Sequence, residues 1–204
     1  MMKISERFRG FLPIVIDVET GGFDCERDAL LEIGAVLVQY DFNDKLVPAR
    51  TLHYHVRPFA GAQIAPESLK LTGIDPFHPL RPALEEKDCA ERFFGEVLTA
   101  LQESGCNKAI LVGHNASFDL GFLRTLARRT GWEERFPFHS FSTFDTVSLG
   151  GLIYGQTVLS RIATAAGFKY NSHKAHGAKY DAELTAAIFC QIVNVWGNPI
   201  GELK

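Results

Sequence analysis

Two acidic residues lie where the first strongly apolar segment of the chain ends. In PIVIDVETGG, residues 13–22, Asp17 and Glu19 interrupt a run that is typical of a buried strand. Successive side chains of a strand point to opposite faces, so Val15, Asp17 and Glu19 project together from one face. Two carboxylates beside apolar neighbours lose hydration, repel each other and need a positive partner. The pattern fits a divalent cation site, and it also fits a strand that reaches its solvent-exposed end.

Two further acids lie at the starts of predicted helices. Asp119, in SFDLGFLRTLARRT, heads an apolar stripe with helical spacing, and Asp181 near the C-terminus heads another. The stripes consist of Phe122, Leu123 and Leu126 in the first helix and of Leu184, Ile188 and Ile192 in the second. The helix dipole also explains an acid in a first turn, but it does not require the apolar face. Four carboxylates converging from one strand and two helices would form an oxygen-rich site suited to Mg²⁺ or Mn²⁺.

A histidine precedes the last of these acids. His176 lies five residues before Asp181, in HGAKYD. On one continuous helix the two residues would point about 140° apart. If Gly177 instead belongs to a loop that leads into the helix, His176 can fold over the metals and act as a general base for water. The alternative interpretation is an exposed loop histidine.

The predicted elements place these residues on one α/β sheet. Strands are predicted at 13–20, 30–41, 51–58 and 109–115, with a turn at 43–44, and helices are predicted at 66–71, 85–102, 117–130, 157–166 and 179–196. Residues 60–84 are rich in proline and glycine, which favours an irregular surface segment. A meander of strands followed by alternating strands and helices fits one mixed sheet with helices packed on it. Without a repeat or a linker, residues 1–204 are expected to form a single domain.

Composition restricts how the chain can bind nucleic acid and in which compartment it is expected to work. The net charge is −3 and the pI is about 6.2, which argues against binding of nucleic acid by bulk positive charge but does not exclude binding through a local positive patch. The four cysteines form no CxxC pair, which favours reduced, packed thiols. The N-terminal residues MMKISERFRG lack the apolar segment of a signal peptide, and the apolar run at 11–16 is too short to cross a bilayer. We therefore expect a cytoplasmic protein that does not associate with a membrane.

Three motifs, in this order along the chain, resemble those of the DEDDh exonucleases, a branch of the ribonuclease-H-like superfamily. They are Asp17-x-Glu19 after a strand, Asp119 in HNASFD, and His176-x-Ala178-x-x-Asp181. Several other stretches resemble one bacterial branch of that family, namely ERFRGF, TGGFD, PESLKLTGID, SGCNKAI, PFHSFSTFDT and GQTVLS. The resemblance implies a ribonuclease-H-like α/β fold, in which helices flank a mixed five-stranded sheet of order 3-2-1-4-5, and a homodimer.

The resemblance also implies an activity. It is that of a 3′-5′ exoribonuclease that trims 3′ overhangs of structured RNAs such as tRNA and rRNA precursors, trims single-stranded DNA ends, and releases 5′-monophosphates. Asp17, Glu19, Asp119 and Asp181 would ligate two Mg²⁺ ions, with Mn²⁺ as a substitute, and His176 would deprotonate the attacking water. Within the same branch, a DNA proofreading exonuclease and an oligoribonuclease stay open as alternatives. From a different class, a non-catalytic RNA-end-binding module stays open.

Substrate contacts follow from the same resemblance. Aromatic rings would stack on the bases, an acid would contact the terminal bases, and a basic patch would reach the active site of the partner subunit. The residues in these roles are Phe23, Phe118 and Phe144; Glu67; and Arg7, Arg9 and Lys108. By position alone, each phenylalanine could equally be a core residue, and each basic residue could equally be a solubilising surface charge. Leu71 lies where the pattern has phenylalanine, so we expect weaker stacking there and a different terminal-base preference. Gln102 lies where a lysine is expected, so we expect a weaker basic patch.

One further pair of residues could bind a metal. His53 and His55, in LHYHV, share a strand face. No acid or cysteine of suitable spacing lies near them in the chain, so we interpret them as packing residues.

Overall fold

The structure is a computed structural model that describes residues 2–196, and the strands in this range form one sheet. The strands are β1 (Phe11–Thr20), β2 (Leu30–Tyr40), β3 (Leu46–Val56), β4 (Ala83–Leu84), β5 (Lys108–Gly113) and β6 (Phe138–Asp145). The helices are α1 (Ile4–Arg7), α2 (Pro66–Thr72), α3 (Glu86–Ser104), α4 (Ala116–Thr130), α5 (Thr146–Tyr154), α6 (Leu159–Ala165) and α7 (Ala178–Trp196), with a 3₁₀ turn at Glu133–Arg135. Within this range no helix is long and apolar enough to cross a membrane.

The sheet combines a meander with parallel strands. Its order is β4-β3-β2-β1-β5-β6; β1 and β3 run antiparallel to β2, while β5 runs parallel to both β1 and β6. The predicted order of five strands is confirmed for the central part of this sheet. The strand count differs, because Ala83 and Leu84 pair with the end of β3 at the edge of the sheet. Two residues are too few to show a period in the sequence, so the segment reads as irregular.

The predicted element bounds shift where local patterns are weak. Strand β3 begins at Leu46, five residues before its predicted start. Residues 48–50 are exposed, so this part of the strand lacks the alternation of apolar and polar residues on which the prediction depends. Helix α5 is not predicted, since Gly150 and Gly151 lower its helix propensity. The Asp145 carboxylate caps this helix by accepting the Val147 N–H at 2.8 Å. Tertiary contacts and a cap therefore stabilise a helix that the composition disfavours.

Both faces of β1 are covered, because Ile14, Val15 and Ile16 are completely buried. Helix α7 packs across β1, β2 and β3, while α3 and α4 pack on each other and also contact the sheet. Gly34 allows the close approach of α7, since a Cβ at this position would overlap the Ala178 carbonyl at the start of that helix. Gly34 is also the register partner of Asp17. This glycine thus brings the first turn of α7 next to the first acid of β1.

Candidate metal and catalytic site

Three of the predicted acids meet at the contact between β1 and α7. Carboxylate oxygens of Asp17, Glu19 and Asp181 lie within 4.8 Å of one another. Strand alternation brings the first two together, and the first turn of α7 supplies the third. The Asp181 Oδ1 atom is buried and has no hydrogen-bond partner within residues 2–196. A buried, unpaired carboxylate oxygen in an all-oxygen donor set fits a hard divalent cation.

The fourth acid approaches from α4. Asp119 is buried in the first turn of that helix, and its Oδ1 accepts the Val18 N–H of β1 at 3.0 Å. The start of α4 is held by Asp145, whose carboxylate accepts the N–H groups of Asn115 at 3.3 Å and Ala116 at 3.1 Å. Asp145 was not identified from the sequence, because its partners lie about thirty residues away in the chain. It acts on the site by orienting the helix that carries Asp119.

His176 lies in a loop at the mouth of this site. Helix α7 begins at Ala178, so Gly177 belongs to the loop, as the general-base interpretation requires. The His176 backbone N–H donates to Asp181 Oδ2 at 3.0 Å, and the residue adopts a positive φ of 61°. The imidazole is exposed to solvent beside Asp181. A water that approaches the acids from solvent can therefore meet this ring.

Burial raises the pKa of all four acids, and charge repulsion adds to the shift for Asp17, Glu19 and Asp119. Burial, and after it the charges of Asp119, Glu19 and Asp181, raise the pKa of Asp17 well above its usual value. Burial and then the charge of Asp181 raise the pKa of Glu19 to about 8. Burial also raises the pKa values of Asp119 and Asp181, against the opposing effect of backbone hydrogen bonds. Without a cation the cluster holds protons near neutral pH, and a divalent ion would displace them.

This proton uptake predicts how the stability of the metal-free protein depends on pH. The pKa of Glu19 rises from 4.5 in the unfolded chain to about 8 in the folded protein. Between these two pH values the folded state therefore binds more protons than the unfolded state. The free energy of unfolding should therefore fall as pH rises through the interval. Saturating Mg²⁺ should abolish much of the fall, because the ion replaces the protons. Thermal melting in EDTA and in Mg²⁺, at several pH values, measures both slopes.

The variant Glu19→Gln provides the matched comparison. Its amide does not titrate, so its melting temperature in EDTA should depend less on pH than that of the unmodified protein. Equal pH slopes with and without Mg²⁺ in the unmodified protein would contradict the assignment of these acids to a metal site.

Two of the predicted stacking residues lie together at the mouth of the site. Phe23 follows the end of β1 and is 90% exposed; its ring centroid lies 6.1 Å from that of Phe118, the residue before Asp119. Glu67 and Leu71 lie on α2 and are exposed. The segment that leads into α2 is tied to the end of β1, because the Ala65 N–H donates to the Gly21 carbonyl at 2.7 Å. This hydrogen bond places the start of α2, and with it Glu67, near the end of β1.

The third predicted stacking residue, Phe144, has different surroundings. It is half-buried on β6, and its ring centroid lies 5.7 Å from that of Phe8 and 5.5 Å from that of Phe189. The exposed ring of the same segment is Phe141, at 78%. Phe144 thus packs against Phe8, which follows α1, and Phe189 of α7, and its role in base stacking stays a prediction.

The predicted basic residues lie at the other end of the sheet. Arg7 ends α1, the Arg9 guanidinium lies 5.1 Å from the centre of the Phe11 ring, and Lys108 pairs with Phe11 in register. Asp17 lies six residue steps beyond Phe11 along β1, or about 20 Å. The structure therefore does not bring these three basic residues to the acids of the same subunit.

A further acid lies next to the site and was not identified from the sequence. Glu32 of β2 is the register partner of Glu19, and its charge helps to raise the pKa values of Asp17 and Glu19. It accepts hydrogen bonds from His53 and His55, with ring nitrogens at 3.2 and 2.9 Å. An isolated acid in the apolar run LLEIGAVLV is the signal that could have pointed to it. No acid lies at a suitable spacing from His53 and His55 along the chain, but the adjacent strand β2 brings Glu32 to both rings.

Comparison with known proteins agrees with this geometry. The RNase_T family model, described as Exonuclease, matches residues 14–189. Ribonuclease T of Salmonella typhimurium LT2 is 51% identical over 193 residues, which make up 95% of this chain and 89% of that protein. Ribonuclease T of Cronobacter sakazakii is 52% identical over 193 residues, 95% of this chain and 86% of that protein. The bacterial branch that the quoted stretches resemble is ribonuclease T, so the predicted resemblance is confirmed.

Solved structures with the same fold are more distant in sequence. E. coli Exonuclease I in complex with a dT13 oligonucleotide matches with a TM-score of 0.72 at 17% identity, over 95% of this chain and 43% of that chain. A moderately thermophilic Exonuclease I from Methylocaldum szegediense matches with a TM-score of 0.69 at 17% identity, over 92% of this chain and 41% of that chain. The chain thus spans less than half the length of these Exonuclease I chains. At this identity the likeness shows the fold, and the predicted ribonuclease-H-like class is confirmed.

Proposed function

The chain belongs to the RNase T exonuclease family and is a 3′-5′ exoribonuclease; we propose that it trims the 3′ overhangs of structured RNAs, such as tRNA and rRNA precursors, and single-stranded DNA 3′ ends. The convergence of Asp17, Glu19 and Asp181 beside Asp119 is the observation that carries the proposal. The same sheet and helices hold all four acids, which supports treating residues 1–204 as a single exonuclease domain.

The proposed cofactors are two Mg²⁺ ions, for which Mn²⁺ can substitute. The buried, unpaired Asp181 Oδ1 and the all-oxygen donor set support this choice. When bound, two such ions activate a water and stabilise the leaving 3′ oxygen of a phosphodiester. Asp17, Glu19, Asp119 and Asp181 would hold them, and the protons that these acids carry would leave on binding.

The remaining steps belong to the side chains of this chain. His176 takes the proton of the attacking water, because its ring is exposed beside Asp181. His176 and Gly177 lie in the loop before α7, so helix geometry does not fix the direction of the ring. Phe23 and Phe118 offer ring faces for stacking, worth about 1–3 kcal/mol per base with little dependence on sequence. Glu67 lies on the exposed side of α2 and would contact the terminal bases. Leu71 offers no ring face there, so the terminal-base preference depends on the other contacts.

We assign the basic residues to a homodimer. An apolar cleft of about 470 Å³ lies between Phe144, Phe189 and Leu152, and it is flanked by Arg7 and Arg9. Leu152 is 70% exposed at this cleft. A second copy is the proposed occupant, because these arginines lie at the far end of β1 from the acids of their own subunit. Across a dimer, Arg7, Arg9 and Lys108 can contact RNA that is bound at the partner's acids.

The dimer predicts a specific effect of one surface substitution. Leu152→Glu places a charge in the apolar cleft, so it should convert the dimer to a monomer and weaken RNA binding. Sedimentation velocity and filter binding measure the two effects. Leu80→Glu is the control, because Leu80 is 84% exposed outside the cleft. A monomeric unmodified protein, or a Leu152→Glu variant that stays dimeric, would overturn the dimer.

The activity is tested with a duplex that bears a short 3′ overhang, in the presence of Mg²⁺. We expect loss of single nucleotides from the 3′ end, release of 5′-monophosphates, and slowing at the duplex. Relative rates on RNA overhangs, single-stranded DNA and oligomers of two to five residues separate RNA trimming from DNA proofreading and from oligoribonuclease activity. Tight binding without any phosphodiester cleavage would instead indicate an RNA-end-binding module.

We place this activity in the cytoplasm. All four cysteines are free thiols, and Cys89, Cys106 and Cys190 are buried, which fits a reducing compartment.

A further inference from the structure

A second group of possible metal ligands lies beside the catalytic acids. In register, Glu32 of β2 pairs with His55 of β3, and Gly34 pairs with His53. Because Glu32 and Gly34 share one face of β2, both imidazoles lie on the same sheet face as Glu32. Nothing in the proposed catalytic steps uses these three side chains.

The distances within this group are those of a compact ligand set. Glu32 Oε2 lies 3.2 Å from His53 Nε2, and Glu32 Oε1 lies 2.9 Å from His55 Nδ1. One ligand atom from each residue lies within 4.8 Å of the other two. A tetrahedral Zn²⁺ with bonds of about 2.0–2.2 Å places neighbouring ligand atoms about 3.4 Å apart. Small side-chain rotations would bring the three groups to this spacing.

The group is open on one side. The side chains of His53 and His55 are 28% and 27% exposed, whereas that of Glu32 is 11% exposed. The protein thus supplies three ligands from a fixed sheet and leaves room for water as the fourth, as in open zinc sites. Binding would replace the two hydrogen bonds to Glu32 with bonds to the ion, and the ring protons would move to the other ring nitrogens.

Arg81 balances the charge of Glu32 when no ion is bound. One guanidinium nitrogen lies 4.0 Å from Glu32 Oε1, and the group donates to the carbonyls of Val56 at 2.9 Å and Leu31 at 2.6 Å. A fixed positive charge at this distance opposes a cation. The expected affinity is therefore moderate, and removal of the Arg81 charge should increase it.

The donor atoms distinguish this group from the catalytic acids. Four carboxylates select hard ions such as Mg²⁺ and Mn²⁺, whereas two imidazoles with one carboxylate select Zn²⁺, Co²⁺ and similar ions. We propose that Glu32, His53 and His55 form a second metal site, which binds Zn²⁺ or Co²⁺ and reduces nuclease activity when it is occupied. The regulatory part rests on the proposed function, whereas the binding part does not.

The coupling to activity follows from the sheet register. Glu32 lies opposite Glu19 across β1 and β2, and the side chains of such pairs are about 4.5–5.5 Å apart at Cβ. A cation on Glu32 would cancel part of the negative field that attracts the catalytic ions. Occupation of the second site should therefore raise the Mg²⁺ concentration needed for half-maximal activity.

Binding is tested with Co²⁺ in the double variant Asp17→Asn, Asp181→Asn, which lacks two of the proposed catalytic ligands. We expect one equivalent of Co²⁺, with the visible absorption of a four-coordinate site. His53→Gln in this background should weaken binding at least tenfold, Arg81→Gln should strengthen it, and His78→Gln, an exposed loop histidine, should leave it unchanged. Melting temperatures confirm that each variant folds. No Co²⁺ binding up to millimolar concentration, or equal binding by His53→Gln, would overturn the site.

Regulation is tested with Zn²⁺ added to the unmodified enzyme in excess Mg²⁺. Trimming should be inhibited, and His53→Gln should resist this inhibition while retaining trimming without Zn²⁺. Equal inhibition of both proteins would assign the effect to the catalytic acids and overturn the regulation. If the unmodified enzyme trims no substrate, the proposed function fails, and the Co²⁺ titration still decides the second site.

Discussion

Asp17→Asn should abolish trimming of a 3′ overhang while leaving the protein folded. Carboxylate oxygens of Asp17, Glu19 and Asp181 lie within 4.8 Å of one another, so Asp17 is one of the three acids that converge most closely. Burial, and after it the charges of Asp119, Glu19 and Asp181, raise the pKa of Asp17 well above its usual value. Loss of one ion's stabilisation of transition-state charge costs several kcal/mol, and about 4 kcal/mol corresponds to a thousandfold lower rate. Single-turnover trimming in saturating Mg²⁺ measures the loss. A rate within tenfold of the unmodified enzyme would contradict the proposed role.

The same variant also has an expected effect on stability, opposite to that of an ordinary buried substitution. Asparagine mimics the protonated acid, so in EDTA the variant should melt close to the unmodified protein at low pH and above it at high pH, where repulsion grows. For a chain of this length, each kcal/mol of relieved repulsion raises the melting temperature by about 2–4 °C. Asp88→Asn, an exposed acid in the first turn of α3, is the control and should change neither rate nor this pH trend.

His176→Asn should separate chemistry from binding. Asparagine tolerates the positive φ at this position and keeps the backbone N–H that donates to Asp181, but it cannot accept a proton as imidazole does. General-base catalysis contributes about 10² to 10⁴ in rate, so kcat should fall by this factor. The affinity for RNA and the Mg²⁺ concentration for half-maximal activity should change little.

The neighbouring loop provides a close control for this prediction. His173 is an exposed histidine three residues earlier, and His173→Asn should retain full kcat. A kcat of His176→Asn within fivefold of the unmodified enzyme would remove His176 from the proton-transfer step. A large loss of RNA affinity without a loss of kcat would assign it to substrate binding instead.

Local periodicity in the sequence predicts much of this arrangement. Alternation along β1 places Asp17 and Glu19 on one face, and helical spacing places Asp119 and Asp181 at the heads of buried stripes. Each of these patterns lies within a single element, and the chain order of the motifs points to the exonuclease family. The sequence patterns therefore predict the acids, whereas the order of the central strands follows from the family resemblance. The loop position of His176 is a condition that the sequence left open and that the structure meets.

Other features depend on which residues become neighbours across elements. Glu32 meets Glu19, His53 and His55 only through strand register, and Asp145 reaches the start of α4 only once β6 lies beside β5. The packing of Phe144 against Phe8 and Phe189 likewise follows from contacts between distant segments. The spacing of residues along the chain shows which face of a strand or helix each side chain lies on. It does not show which residue of a neighbouring strand or helix that side chain will contact. For this reason the acids proposed to bind metal can be identified from the sequence, whereas the adjacent histidine group and the surroundings of the aromatic residues required the tertiary structure.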